Sequence, residues 1–330
     1  MTDVTPPPFG RTAIAMITPF TADGALDADG AQRLAAHLVD EGGCDALVLS
    51  GTTGESPTTS DAEKEALVRA VVQAVGDRAR VVAGVGTGDT RHSVTLARAA
   101  ERAGAHGLLV VTPAYSCPGQ EAVLHHLRTV ADATGLPVML YDIPARTGTA
   151  LATDTLLRLA EHPRVKGVKD CSHDLRKTTK VLAATGLAYY AGCDEESLAL
   201  RAVGAVGCVS TVGNAAPGEV RAVLEAYEAG ETAEATRRNL ALAPLVEAMM
   251  ASGVPGTVTA KALLHSLGLP AGPVRAPLQA AGPELTGRLT AVLRTVRGRP
   301  AEAVSQSPAE RSRTDQNPAG RSRTGQNPAA

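Results

Sequence analysis

Tryptophan is absent from this sequence of 330 residues, and the other aromatics are scarce, with two phenylalanines and five tyrosines. Core filling is therefore left to Val, Leu and Ala, and Tyr115 and Tyr141 stand out against that background. Excess charge of either sign is also missing. The net charge is −2, so nothing draws the chain toward nucleic acid or an anionic membrane. No apolar run approaches the ~18 residues of a membrane span. The first residues, Met-Thr-Asp-Val-Thr-Pro-Pro-Pro, lack the basic and apolar regions of a signal peptide, and a cytoplasmic location is expected. The five cysteines, Cys44, Cys117, Cys171, Cys193 and Cys208, form no C-x-x-C pair and leave one over. Their spacing indicates neither a zinc site nor a disulfide framework. A G-x-x-x-x-G-K-[ST] loop is lacking, and Gly84-Val85-Gly86-Thr87-Gly88 lacks the full dinucleotide-binding spacing.

What is present is an alternation. Short apolar runs at Thr12–Ile17, Ala46–Ser50, Arg80–Gly84, Gly107–Val111, Pro137–Tyr141, Lys166–Lys169, Ala188–Ala191 and Val206–Ser210 read as strands. Amphipathic stretches separate them. Ala31, Leu34, Ala35, Leu38 and Val39 form one helical stripe, and Ser60-Asp61-Ala62-Glu63 is a capping box opening another. Eight βα units predict an α/β fold of the (β/α)8 TIM barrel type over 12–215, preceded by an N-terminal extension over 1–11. An open doubly wound sheet is the rival architecture. After residue 210 the strand beat stops, and helical patterns predict an added C-terminal helical subdomain over 216–297. From 298 to 330 the sequence turns to Pro, Ser, Arg, Gln and Asn in a near-repeat of period ten, which lacks apolar anchors and predicts disorder.

In such barrels chemistry sits at the C-terminal ends of the strands. The run Val165-Lys166-Gly167-Val168-Lys169-Asp170 places Lys169 on the opposite face from Asp170, so no adjacent carboxylate holds it protonated. An ordinary lysine has a pKa of ~10.4, and burial among apolar groups can lower it by ~3 units. A lysine so treated is an amine nucleophile, able to form a Schiff base with a carbonyl compound. A lysine snorkelling to water is the plain alternative for an isolated residue. Its company favours the chemistry. Tyr141 shares the inward face with Met139 and ends the neighbouring strand, about 4.8 Å away across a sheet. Gly51-Thr52-Thr53-Gly54-Glu55-Ser56 can turn tightly and present N–H groups to a carboxylate. Arg146 lies in the loop above, suited to gripping an anion. Together these suit a small 2-oxo acid handled through a lysine imine.

Three of these segments, Gly51-Thr52-Thr53-Gly54-Glu55-Ser56, Tyr141-Asp142-Ile143-Pro144-Ala145-Arg146-Thr147-Gly148 and Gly167-Val168-Lys169-Asp170, resemble motifs of the dihydrodipicolinate synthase family. These are pyruvate-dependent lysine aldolases of the N-acetylneuraminate lyase superfamily. The similarity runs from about Thr12 to Val296. It implies that Lys169 forms the imine with pyruvate, and that the backbone of Thr52 and Thr53 holds the pyruvate carboxylate. It further implies a proton relay of Thr53, Tyr141 and Tyr115, with Tyr115 donated by the partner subunit of a tight dimer. Arg146 would hold the carboxylate of aspartate semialdehyde, and the main chain around Gly192 and Val209 would line the floor. The implied product is 4-hydroxy-tetrahydrodipicolinate, on the way to lysine and diaminopimelate. The resemblance implies no metal or organic cofactor, and a tight dimer or dimer of dimers.

The chain departs from the family pattern at Ala114, where a second tyrosine is common, at Cys117, and at Gly192-Cys193-Asp194-Glu195, which replaces a more typical Gly-Asp-Asp. In members inhibited by lysine the effector positions match Asp61, Lys64, Gly88, His92 and Ala114 here. Lys64 would repel the effector's ammonium groups, so weak or absent inhibition is expected. A sister aldolase acting on another aldehyde, or cleaving a 4-hydroxy-2-oxo acid, is the alternative that Arg146 disfavours. A catalytically idle barrel retained for binding is the third reading, and the intact set of Lys169, Tyr141, Thr53 and Tyr115 argues against it.

Overall fold

The structure, a computed structural model, describes residues 7–298. Eight parallel strands close into a barrel in sequence order: β1 (Thr12–Ala15), β2 (Ala46–Leu49), β3 (Arg80–Gly84), β4 (Gly107–Val111), β5 (Val138–Asp142), β6 (Val165–Asp170), β7 (Ala188–Ala191) and β8 (Gly207–Ser210). The open doubly wound alternative is excluded by the pairing of β1 with β8. The connecting helices are α1 (Ala28–Ala36), α2 (Asp61–Val75), α3 (Thr90–Arg102), α4 (Gln120–Asp132), a single turn α5 (Pro144–Thr147), α6 (Thr153–Ala160), α7 (Leu175–Ala184), α8 (Ser197–Ala202) and α9 (Pro217–Glu228). Three more follow, α10 (Thr232–Met250), α11 (Gly256–Ser266) and α12 (Pro283–Arg297).

Local chemistry explains the boundaries. The capping box forms at α2, with Ser60 accepting from the Glu63 amide and Glu63 accepting from the Ser60 amide. Asp89 and Asp174 cap α3 and α7 one way only, accepting from the Arg91 and Lys177 amides. Strand burial is nearly complete on both faces, as expected for a parallel sheet wrapped by helices.

Two apolar layers result. Between strands and helices lies the main core, and inside the cylinder a smaller one contains Ala13, Val48, Val82, Leu109, Met139, Tyr190 and Val209. Phe9 plugs the N-terminal end of the cylinder. Its ring stands edge-on to Tyr190 at 6.1 Å, and its amide donates to the Tyr190 hydroxyl. A β-carbon at Gly167 would meet that ring and the Ala188 carbonyl, so this face of β6 is left bare to admit it. The plug belongs to the stretch expected as an extension; residues 1–6 of that stretch lie outside the described residues.

Helix α9 packs on α8 and β1, and α12 packs on α10 and α11. Barrel and C-terminal helices form one compact unit through Arg297. The expected disordered segment, apart from Gly298, lies outside the described residues.

Candidate active site

Every non-glycine residue with positive φ among the described residues lies in a loop following β2, β4 or β6: Ser50, Glu55, Tyr115, Cys117 and His173. Strained backbone gathers at one end of the barrel, the end where such folds keep their chemistry.

Lys169 is at that end, facing inward on β6, and only 4% exposed. Its strand partner in register is Tyr141 on β5, and the Lys169 Nζ lies 4.2 Å from the centre of the Tyr141 ring. Burial lowers the Lys169 pKa and raises that of the Tyr141 phenol. Alternation sends Asp170 and Asp142 to the outer face, as the sequence requires. There Asp170 accepts from the Thr178 hydroxyl and from the Ser172 amide at 2.9 Å. Asp142 forms a buried ion pair with Lys177 and accepts from the Leu151 amide. The carboxylates beside the lysine in sequence are thus spent on anchoring α7 and the loop after β5.

The Gly51–Ser56 loop forms the turn expected of it. The amides of Thr52 and Thr53 donate to no backbone carbonyl among the described residues, which leaves them free for an anion. The two threonine hydroxyls diverge. The Thr52 side chain lies beside the Tyr141 phenol, whereas the Thr53 hydroxyl pairs with Thr211 at 3.1 Å. The hydroxyl beside the phenol is thus that of Thr52, next in the chain to the expected Thr53. The reason is that a turn, unlike a strand, does not alternate its side chains predictably.

A cavity of about 540 Å³ opens above Tyr141, lined by Thr52, Ile143, Thr147 and, at its rim, Arg146. Arg146 is presented by α5, a turn that Pro144 starts and Gly148 ends. Gly192 lies against the other side of Lys169. A β-carbon there would stand 3.0 Å from the Lys169 Cγ and 2.3 Å from the Cys171 Sγ, so no larger residue fits. Val209 is fully buried on β8 and faces the same interior. Tyr115 is not brought in. It is fully exposed, at φ +72°, and points away from the cavity that its neighbour Ala114 lines.

Sequence reasoning missed the clamp on the anion loop. Glu55 is buried and adopts the left-handed conformation, and its carboxylate lies 2.6 Å from the Lys261 ammonium on α11. The Arg275 amide also donates to Glu55, while Lys261 and Arg275 both stack on the Phe20 ring, at 4.2 and 4.0 Å. On β8's side, buried Asp194 accepts from Ser210 and from the amides of Thr211 and Val212. Burial raises the pKa of Asp194 against those bonds. The C-terminal helices thus hold the loops rigid from outside. The only hint in the sequence was a glutamate inside a motif of small residues.

Comparison with known proteins agrees with this geometry. The model of the dihydrodipicolinate synthetase family matches residues 8–295. The chain is 66% identical over 290 residues to 4-hydroxy-tetrahydrodipicolinate synthase 1 of Streptomyces coelicolor, covering 88% of this chain and 95% of that protein. Among solved structures, dihydrodipicolinate synthase from Cyanidioschyzon merolae with lysine bound superposes with a TM-score of 0.85 at 34% identity, over 88% of this chain and 99% of that one. The chloride-inhibited enzyme of Acinetobacter baumannii complexed with pyruvate gives 0.82 at 31% identity, over 88% and 99%. Matched over nearly all of its described length, the chain belongs to the dihydrodipicolinate synthetase family.

Proposed function

We propose that this protein condenses pyruvate with L-aspartate 4-semialdehyde through a Lys169 imine, giving 4-hydroxy-tetrahydrodipicolinate for lysine and diaminopimelate synthesis. One observation carries the reading: Lys169 is buried at the barrel mouth with an aromatic ring, not a carboxylate, against its amine. An amine so placed is deprotonated at lower pH than an exposed one and can attack a ketone.

The neutral amine adds to C2 of pyruvate while the free amides of Thr52 and Thr53 hold the carboxylate. Tyr141, with the Thr52 side chain beside it, delivers the proton with which the carbinolamine loses water, and takes it back in later steps. Loss of a C3 proton gives the enamine, whose C3 bonds to the aldehyde carbon. The aldehyde oxygen takes a proton and becomes the hydroxyl. The substrate's own amine then adds to the imine carbon, closes the ring and expels Lys169. Arg146 grips the semialdehyde carboxylate at the rim. The reaction runs through the lysine imine and calls for no organic cofactor.

Tyr115 enters this scheme from a second copy of the chain. A fully exposed tyrosine held in a strained backbone beside the cavity rim is suited to that use, and we assign a dimer or dimer of dimers on this ground. No helix among the described residues is long and apolar enough to cross a membrane, and a cytoplasmic enzyme fits that. Steady-state assays with pyruvate and a panel of aldehydes test the substrate assignment. Turnover should be highest with L-aspartate 4-semialdehyde, and Arg146→Ala should erase its advantage over aldehydes lacking a carboxylate. Equal turnover of uncharged aldehydes by the unaltered enzyme would favour a sister aldolase instead.

A further inference from the structure

Four side chains from two adjacent strand ends meet beside Lys169, and the reaction above uses none of them. Cys171 and His173 follow β6, and Cys193 and Glu196 follow β7. The Cys171 Sγ lies 4.0 Å from the Tyr141 hydroxyl. The Cys193 Sγ is 3.8 Å from the His173 Nε2. On its other side the His173 ring meets the Glu196 carboxylate, 2.9 Å from Nδ1.

This is the arrangement that metal ligands adopt. Two ligands on a tetrahedral zinc, one sulfur at about 2.3 Å and one nitrogen at about 2.0 Å, stand roughly 3.6 Å apart, close to the Cys193–His173 separation of 3.8 Å. A carboxylate that accepts Nδ1–H fixes the tautomer and leaves the Nε2 lone pair free, the usual support of a metal-bound histidine. Among the described residues, donor atoms of His173, Cys193 and Glu196 all fall within 4.8 Å of one another. His173 is held at φ +56°, a conformation disfavoured for any residue with a β-carbon, and this conformation aims its ring at the Cys193 thiol. Burial is graded from buried Cys171 through half-buried Cys193 to exposed His173, which gives an ion a path in from solvent. A thiol and an imidazole select borderline-soft cations over magnesium or calcium.

We propose that Cys193 and His173, with the Glu196 carboxylate beside the imidazole, form a site for a thiophilic divalent cation of the zinc type, and that filling it blocks pyruvate capture at Lys169. Binding releases the Cys193 thiol proton to solvent. The dication then stands at the strand end next to Lys169, where its charge opposes formation of the cationic iminium. The inhibitory half rests on Lys169 being the imine-forming residue; the binding half does not.

The test titrates the full-length, fully reduced protein with Co²⁺ alone and follows the near-ultraviolet thiolate-to-cobalt absorption. The expected result is a saturable band at one ion per chain, displaced by Zn²⁺, absent in C193S and H173A, and shifted to roughly 10–100-fold weaker binding in E196Q. In parallel, pyruvate and borohydride are added with and without Zn²⁺. Reduced adduct on Lys169 should fall with zinc, return with a chelator, and stay constant in C193S. Absence of the band, or its retention in both C193S and H173A, overturns the site. Adduct yield indifferent to zinc overturns the inhibition. If the metal-free protein gives no adduct at all, the imine reading has failed, and the cobalt band still decides the site.

Discussion

Three lysines among the described residues are buried, and the mouth of the barrel treats its lysine differently from the walls around it. In the wall behind β5, Lys177 is paired with Asp142, and under the anion loop Lys261 is paired with Glu55. At the mouth, Lys169 is as deeply buried but lies on the Tyr141 ring, with Asp170 turned to the opposite face. Burial alone therefore does not make a nucleophile. The wall lysines keep a carboxylate and serve as struts; the mouth lysine is denied one and can react.

Substitutions should separate these roles. The largest effect falls on the mouth: Lys169→Ala should abolish turnover and the pyruvate adduct while leaving the fold intact, as circular dichroism and thermal unfolding will show. Turnover that survives would put the nucleophile elsewhere. Next, Tyr141→Phe should reduce turnover by roughly 10²-fold or more, the scale of a positioned acid–base group; a change below about threefold would remove the phenol from the relay. The wall should respond in stability first. Glu55→Gln strands a buried ammonium, and breaking such a pair costs about 3–5 kcal/mol, to be read from denaturant unfolding. The comparison blurs if Glu55→Gln unfolds like the parent chain.

The smallest effect is expected at the far end of the cavity. There Lys64 donates to the Ser56 carbonyl at 2.9 Å and the Thr59 hydroxyl at 2.8 Å, and His92 pairs with Asp61 at 2.9 Å. A fixed cation among already paired groups offers little to a second ammonium. Added lysine should leave turnover nearly unchanged, and half-inhibition at low millimolar lysine would contradict this.

Most of the architecture was legible in the residues. All eight strands occupy the expected stretches, because a buried parallel strand is a short apolar run that turn residues bound on both sides. Strand alternation also placed Lys169 and Tyr141 on one face, and the register pairs them. Loops were less legible. Thr52 and Thr53 could not be told apart, and α5 is too short to show a period. Least legible were partnerships across sequence distance. Glu55 meets Lys261 only through the C-terminal helices, and Cys193 meets His173 only because β6 and β7 are neighbours. Spacing rules for metal ligands and disulfides read along the chain, so a pair built across two strands escapes them.

Burial lowers the Lys169 pKa, so between that lowered value and ~10.4 the unfolded chain binds the extra proton. Stability therefore rises with pH across this window, and the amine stays reactive within it. The central claim is tested most directly by trapping pyruvate with borohydride at a series of pH values and mapping the modified peptides. The account predicts adduct on Lys169 alone at neutral pH, persisting well below the ordinary lysine range, with Lys177 and Lys261 untouched. Adduct spread over surface lysines, or appearing on Lys169 only as pH nears 10, would contradict it.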